Sequence, residues 1–346
     1  MTTTEIVLDG STGEGGGQVL RTALTLSLVT GRPFRIAKIR ASRSRPGLLR
    51  QHLAAVRAAK AAGDAVVEGD VLGSTEVSFT PRALRGGRHE VAIGSAGSAT
   101  LVLATLLPAL LRAGEASEIV IEGGTHNVAA PPWDFVEQVW LPVLRAMGAR
   151  VSGTLERAGF VPAGGGRVVV RVEPSVLVPI DRTARAGELD VAVVARVAGV
   201  SSRVAWTEAK AIAEALELPR EATRVEELPA AWGPGNVVFV SIRERGAAEG
   251  VACELITGFG EKGVPAEHVA RSVIDATRQY LAVDAPVGVH LADQLVLLLA
   301  LAGGGAMRTP PLDRHTTTQL ELIPRFLPVR FGVVEESGGV VRIEVR

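Results

Sequence analysis

Residues Ile6 to Ile36 read IVLDGSTGEGGGQVLRTALTLSLVTGRPFRI: a β-branched run, a glycine-rich turn, an apolar stretch of helical length, a glycine stop and a second strand-like run. The plan returns twice. Val91 to Ile121 reads VAIGSAGSATLVLATLLPALLRAGEASEIVI, and Val287 to Arg308 repeats it more loosely as VGVHLADQLVLLLALAGGGAMR. Self-similarity of this kind decides the architecture before any single motif does, because each copy can bury its apolar helix only against its neighbours.

Each copy continues in the same way. A polar or proline-bearing loop leads into a second amphipathic helix: RSRPGLLRQHLAAVRAAKAAG from Arg43, PPWDFVEQVWLPVLRAMG from Pro131, TTTQLELIPRFLPVRFG from Thr316. Two strand-like runs follow, Ala65 to Glu68 with Glu76 to Thr80, Arg150 to Thr154 with Arg167 to Val172, and Gly332 to Glu335 with Val340 to Glu344. The repeated unit is therefore β-α-β-α-β-β. The expected fold class is α/β, of the α+β kind, with modules at about 5–85, 90–175 and 285–346. About one hundred extra residues separate the second and third copies, and a structureless loop of that length is improbable. They carry their own alternation of strands and helices, so a small α/β domain is expected at 186–281, inserted into a main body of 1–185 and 282–346.

The chain has 346 residues, of which 47% are hydrophobic and 21% charged, and mean hydropathy is +0.26. That combination excludes a disordered or fibrous chain. Lys+Arg and Asp+Glu both total 37, so affinity for a polyanion has to come from a local patch. Arg32 to Lys60 offers one: Arg32, Arg35, Lys38, Arg40, Arg43, Arg45, Arg50, Arg57 and Lys60, with no acid among them. A solvated helix face is the plain explanation, but the loop RASRSRPG favours phosphate binding. The single cysteine, Cys253, rules out an internal disulfide and reads as a small buried hydrophobe. No apolar run is long enough to span a bilayer, and a soluble, cytoplasmic protein without membrane contact is expected.

GEGGGQ, Gly13 to Gln18, sits between a strand and a helix, where free backbone N–H groups attract anions. It lacks the G-K-[ST] ending of a nucleoside-triphosphatase loop and the G-x-G-x-x-G spacing of a dinucleotide site. Glu14 would repel a phosphate there unless a cation stood between them; a metal role and a plain surface role are both open. No histidine pair has zinc-helix spacing. His52 lies in an amphipathic helix, and His89 and His268 look like surface residues. His126 (GGTHNVAAPP) and His315 (PLDRHTTTQ) each precede the second helix of a module. For His315 a general base, a nucleophile or no chemical role all remain open from spacing alone.

The stretches LDGSTGEGGGQVLRTALTLSLVTGRPF, IRASRSRPGLLRQHLAAV, IGSAGSATLVLATLLPAL, GGTHNVAAPPWDF, PAGGGRV, GPGN, HLADQLVLLLALAGGG and RFLPVRF closely resemble the RNA 3'-terminal phosphate cyclases, from about Asp9 to Phe331. The resemblance implies three β-α-β-α-β-β modules and an inserted domain of thioredoxin-like topology. It implies an ATP-dependent conversion of an RNA 3'-phosphate to a 2',3'-cyclic phosphate, with ATP or another nucleoside triphosphate, and Mg²⁺ or Mn²⁺, as cofactors. By the same resemblance His315 is the nucleotidylated residue and Glu14 the metal ligand. Arg21, Arg43 and Gln51 grip phosphates. His290, Leu291, Ala292, Asp293 and Gln294 form the nucleotide segment, with Pro131 and Ala104 beside the base. Ala104 stands where many relatives have Gln, and His290 where they often have an aromatic, so nucleotide preference is left open. The partners implied are ATP and RNA with a 3'-phosphate end; oligomeric state is open, a homodimer included. Two other readings compete. A non-catalytic relative acting in ribosome assembly would lack His315. An enolpyruvyl transferase, built from related modules, would turn over phosphoenolpyruvate.

Overall fold

A computed structural model of the chain describes residues 4–185, 187–228, 231–245 and 253–346. Ala186, Val251, Ala252 and the side chain of Cys253 lie outside the described residues, and the reading of Cys253 falls there with them.

The first module is built from β1 (Ile6–Asp9), α1 (Gln18–Thr30), β2 (Phe34–Ala37), α2 (Arg50–Ala62), β3 (Val66–Glu68) and β4 (Val77–Thr80). Its sheet order is β1-β2-β4-β3, with β1 and β2 parallel and the other pairs antiparallel. Alternation sets the faces: Phe34 and Ile36 of β2 and Val77 and Phe79 of β4 are buried, their neighbours less so. The α1 helix stops at Gly31, whose φ of +69° is the left-handed turn that glycine adopts at least cost.

The second module repeats the order: β5 (Gly87–Ala92), α3 (Ala99–Leu110), β6 (Ser117–Gly123), a composite second helix, β7 (Val151–Arg157) and β8 (Gly166–Val172), arranged β5-β6-β8-β7. Ser98 caps α3, its side chain accepting from Leu101 N–H. The composite helix runs α4 (Trp133–Phe135), a π-turn over Val136–Trp140 and α5 (Leu141–Ala146). Such π-turns are rare and often lie at functional sites.

The third module departs from the sequence reading. A strand is expected just ahead of its first helix, near Val287, but that segment is not a strand. The strand that completes the sheet is β9 (Asp181–Arg182), far upstream. The chain then leaves through β10 (Leu189–Ala198), α6 (Ser202–Ala215), β11 (Thr223–Glu227), β12 (Gly235–Glu244), β13 (Cys253–Phe259) and α7 (Ala266–Ala282). It returns as α8 (Val289–Ala302), β14 (Gly305–Thr309), α9 (Arg314–Leu322), β15 (Phe331–Glu336) and β16 (Val340–Val345). The resulting order, β15-β16-β14-β9, is that of the other two modules, with β9 parallel to β14. Two residues with no hydrophobic alternation leave no strand signature, which is why the sequence hides β9.

The interrupting strands form a sheet of order β11-β10-β12-β13, in which only β10 and β11 are parallel. This is the thioredoxin-like arrangement that the resemblance implies. It packs α6 and α7 on a core of its own that includes Val193, Ile212, Val238, Val240 and Val273. Strand β11 was not foreseen, since TRVEE is short and polar.

One apolar core runs through all three modules. Helix α1 is central: Gln18 to Leu28 is buried apart from Arg21, and the helix contacts α2, α3 and α9. Truncating Leu24, fully buried there, to alanine would cost about 2–5 kcal/mol. Among the described residues no helix is long and apolar enough to cross a membrane.

Candidate active site

The packing of α1 against α9, and of α9 against α8, brings three distant segments together. The approach is close. Gly13 has φ +62°, and a Cβ there would lie 2.1 Å from Thr318 Oγ1 on α9. Glycine thus lets the loop rest on the helix, where Glu14 N–H donates to Thr318 Oγ1 at 2.9 Å. A Cβ on Gly17 would likewise meet His52 Nε2 at 2.3 Å and Arg21 Nη1 at 2.7 Å.

His315 lies in the first turn of α9, which Asp313 caps by accepting from Thr316 N–H at 2.8 Å. Its Nδ1 is 2.9 Å from Gln18 Oε1. The Gln18 amide nitrogen donates to Asp293 Oδ1, so the amide oxygen faces the imidazole and Nδ1 carries the proton. Nε2 is left with its lone pair and has no partner among the described residues. Asp293 is held in turn. Gln319 Nε2 donates to its carboxylate at 2.9 Å and to its backbone carbonyl at 2.5 Å, and Gln294 Nε2 donates at 2.9 Å. Burial, with Asp313, holds the Asp293 carboxyl above the usual carboxylate range, against the downward pull of Gln319, His315 and Arg21. A positive charge developing on His315 would favour the ionised form of Asp293, which would then offset that charge through Gln18.

This relay edges a cavity of about 320 Å³, within the size range of small-molecule sites. Helix α1 contributes Gln18 and Arg21, α3 contributes Ala104, the loop before α4 contributes Pro131, and α8 contributes His290, Asp293 and Gln294. His315 and Gln319 complete that side. Seven of the residues expected at the site thus share one cavity: His315, Arg21, His290, Asp293, Gln294, Pro131 and Ala104. Leu291 and Ala292 do not. They are buried in the core, because on a helix positions 290, 293, 294 and 297 share one face and 291, 292, 295 and 296 lie on another.

Glu14, Arg43 and Gln51 also lie off the lining of the cavity. Glu14 ion-pairs with Arg43 through Oε1 and accepts from Gly16 N–H at 2.8 Å through Oε2. Gln51 Oε1 accepts from Ser98 N–H at 2.9 Å. His52 is buried and accepts from Leu49 N–H at 3.1 Å through Nδ1; burial, then Arg21 and Arg40, lower its pKa to about 3, so the ring stays neutral. Arg40 donates to the carbonyls of Arg45 and Gly47, and Arg35, Lys38 and Lys60 are paired with Glu76, Asp9 and Asp70. Acids from elsewhere in the first module thus offset part of the basic run.

Among the described residues no three His, Cys, Asp or Glu side chains converge as a metal cage. Mg²⁺ at nucleotide sites is commonly held by one or two carboxylates and the substrate's own phosphates. Glu14, half-buried in the glycine-rich loop, is one carboxylate of the kind such an ion takes, and it would have to leave Arg43 or the Gly16 N–H to bind one.

His126, from the equivalent loop of the second module, lies in a sealed cluster. Its Nε2 is 2.9 Å from Asp134 Oδ2, and neither side chain is exposed. Thr125 Oγ1 lies 2.8 Å from Nδ1, Phe160 stacks on the ring at 4.9 Å, and Arg196 of β10 ion-pairs with Asp134. Gln18 and Gln319 had no assigned role in the sequence. The signals were there: Gln18 closes the GEGGGQ motif, and Gln319 lies one helical turn after His315.

The family profile described as RNA 3'-terminal phosphate cyclase matches residues 12–333. Proteins named RNA 3'-terminal phosphate cyclase are similar over nearly the whole chain. That of Ectopseudomonas mendocina is 46% identical over 99% of this chain and 98% of its own length, and that of Pseudomonas fluorescens 48% identical over 98% and 97%. That of Koribacter versatilis is 46% identical over 96% and 92%. The solved enolpyruvyl transferase NikO from Streptomyces tendae, at 15% identity and a TM-score of 0.26 over 47% of this chain and 33% of that one, is too distant to carry an argument. Matched from the glycine-rich loop through the His315 helix, and 46–48% identical to these relatives, the chain belongs to the RNA 3'-terminal phosphate cyclase family.

Proposed function

We propose that this protein converts an RNA 3'-phosphate to a 2',3'-cyclic phosphate at the expense of ATP, through AMP carried on His315. The observation that supports this most directly is the Asp293–Gln18–His315 relay at the cavity edge, which protonates Nδ1 and leaves the Nε2 lone pair available.

In the first step Nε2 attacks the α-phosphorus of ATP. The bond from that phosphorus to the bridging oxygen breaks, pyrophosphate leaves, and a phosphoramidate forms. The imidazole becomes cationic while Nδ1 keeps its proton, and Asp293 offsets that charge. In the second step an oxygen of the RNA 3'-phosphate attacks the same phosphorus. The P–N bond breaks, His315 is regenerated, and RNA(3')pp(5')A forms. In the third, the neighbouring ribose 2'-OH attacks the RNA phosphorus, loses its proton and expels AMP. Nucleophile and phosphorus sit on one sugar, so the closure needs little help from the protein. DNA, without a 2'-OH, has no third step.

Arg21 lines the cavity and would meet nucleotide phosphates, while Arg43 and Gln51, off the lining, would meet the RNA end. Glu14 would hold a Mg²⁺ or Mn²⁺ ion that arrives with the triphosphate, and such an ion would neutralise charge on the departing pyrophosphate. Pro131 and His290 would flank the base, Ala104 leaving room where a larger side chain would restrict it; ATP is the expected nucleotide, with other triphosphates tolerated. RNA would run along Arg32 to Lys60, where Arg45 is exposed and its side chain has no partner among the described residues. A main body of 1–185 with 282–346, an inserted domain of 186–281, and cytoplasmic location belong to the same proposal.

The test is intact mass after incubation with ATP and Mg²⁺ in the absence of RNA. An AMP-sized increase on the unaltered chain and none on His315→Ala is expected. An adduct that survives His315→Ala would overturn the assignment, and none on either would shift weight to a binding protein of the same family.

A further inference from the structure

Of the elements that line the cavity, three involve the sheet that interrupts the third module: one belongs to that sheet and two are tied to it by buried polar side chains. The first wall is α8, which carries His290, Asp293 and Gln294. Its N-cap is Gly288, a residue with no side chain to satisfy the first amides of the helix. Glu254 of β13 supplies the acceptor: Oε2 takes the Gly288 N–H at 2.9 Å, while Oε1 takes its own neighbour's, Leu255, at 2.9 Å. A Cβ at position 288 would lie 2.0 Å from Glu254 Oε2, so glycine is what lets the carboxylate reach. A carboxylate at a helix N-terminus also answers the helix dipole. The connection into α8 is fixed as well, since Tyr280 Oη donates to the Pro286 carbonyl at 3.0 Å and Arg185 donates to the carbonyls of Tyr280 and Ala285.

The second wall is the segment from Val128 to Phe135, of which Pro131, Pro132 and Phe135 line the cavity. Asp134 lies within it and is ion-paired to Arg196 of β10, whose Nε also reaches Glu226 of β11 at 2.8 Å. The third wall is β13 itself, through Leu255, Thr257 and Phe259. We propose that the inserted sheet completes the nucleotide pocket, with Glu254 and Arg196 as positioning residues that hold α8 and the 128–135 segment at the separation the nucleotide needs.

The inference rests on reading the cavity as the nucleotide site. The path to the chemistry is short. Glu254 sets where α8 begins, and α8 carries His290, Asp293 and Gln294 to the cavity wall. A shift in the first turn of α8 therefore moves groups that must meet the nucleotide together.

The experiment follows AMP loading of His315 against ATP concentration, with thermal unfolding measured on the same samples. Glu254→Ala and Arg196→Met are expected to raise half-saturating ATP about tenfold while the maximal loading rate stays within about threefold, with Glu254→Gln and Arg196→Lys recovering part of the loss. Lower thermal stability with unchanged half-saturating ATP would reduce both residues to structural ones and overturn the proposal. Thr257→Phe covers the case in which those variants do not fold. It leaves both bridges intact, replaces a hydroxyl that has no hydrogen-bond partner among the described residues, and puts bulk into the cavity from β13. A higher half-saturating ATP is expected, and no change would remove β13 from the pocket and overturn the inference. If the unaltered chain takes no AMP, the reading of His315 fails separately, and calorimetric ATP binding by the same variants decides the role of the sheet.

Discussion

Modules two and three each place a histidine near the start of the second helix, and each puts an aspartate within reach of it, yet the two arrangements do opposite things. His126 bonds Asp134 directly, is stacked by Phe160 and is closed to solvent. His315 reaches Asp293 only through Gln18, and its second nitrogen stays open at the edge of a cavity. If His315 carries AMP, a carboxylate beside an imidazole is by itself no sign of catalysis. What matters is whether one nitrogen is fixed and the other can be reached. The extra link also helps, because an amide passes on the orienting effect of the carboxylate without bringing its full charge against the ring.

The comparison breaks first at His315 itself. Replacing it with alanine is expected to lower AMP loading by at least about 10³-fold, measured by intact mass and single-turnover kinetics, as for other covalent nucleophiles. Residual loading near the normal rate would mean another residue carries AMP. Next come the orienting groups. Gln18→Ala and Asp293→Asn should each lower the maximal loading rate by about 10–100-fold while the adduct still forms. If both rates are unchanged, the relay is only packing.

The sealed counterpart should respond in the opposite currency. His126→Ala leaves Asp134 paired to Arg196 alone and opens a space beside Phe160, at a cost of about 3 kcal/mol in denaturant unfolding, as for truncating a large, fully buried, hydrogen-bonded side chain. Its maximal loading rate should stay within about threefold of normal, and any effect should fall on ATP affinity. A collapse of the maximal rate without loss of stability would make His126 a chemical participant after all.

The smallest effect concerns a carboxyl with no part in the site. Glu208 of α6 is buried against Asn236, which donates to it at 2.7 Å, and burial raises its pKa from 4.5 to about 7. The folded chain holds this proton over a range where the unfolded chain has released it, so stability falls as pH rises from about 4.5 to 7 and levels off above. Glu208→Gln should flatten part of that slope and raise the melting temperature above pH 7, and a slope identical to that of the unaltered chain would show that Glu208 does not titrate there.

Repeats and helices were legible in the sequence because they are written in periodicity. Apolar runs at three places and glycine stops at Gly31 and Gly303 are local signals. The strand β9 was hidden because its pairing is decided by residues far along the chain. Site residues divided the same way. His315, Asp293 and Gln294 belong to readable motifs, whereas Gln18 meets His315 only because α1 packs against α9, and helical rotation turns Leu291 and Ala292 to the core. Glu254 had no signal at all, since its meaning depends on a glycine at the start of another element.

The strand β9 sets an order of events for a chain that folds as it is made. Residues 181 and 182 have no strand to pair with until 306 and 307 have left the ribosome, and a two-residue strand cannot hold itself in the meantime. The intervening segment, with its own core, can condense during that wait and bring the ends of its long loop together, so that the last module closes over a loop whose entropy has already been spent.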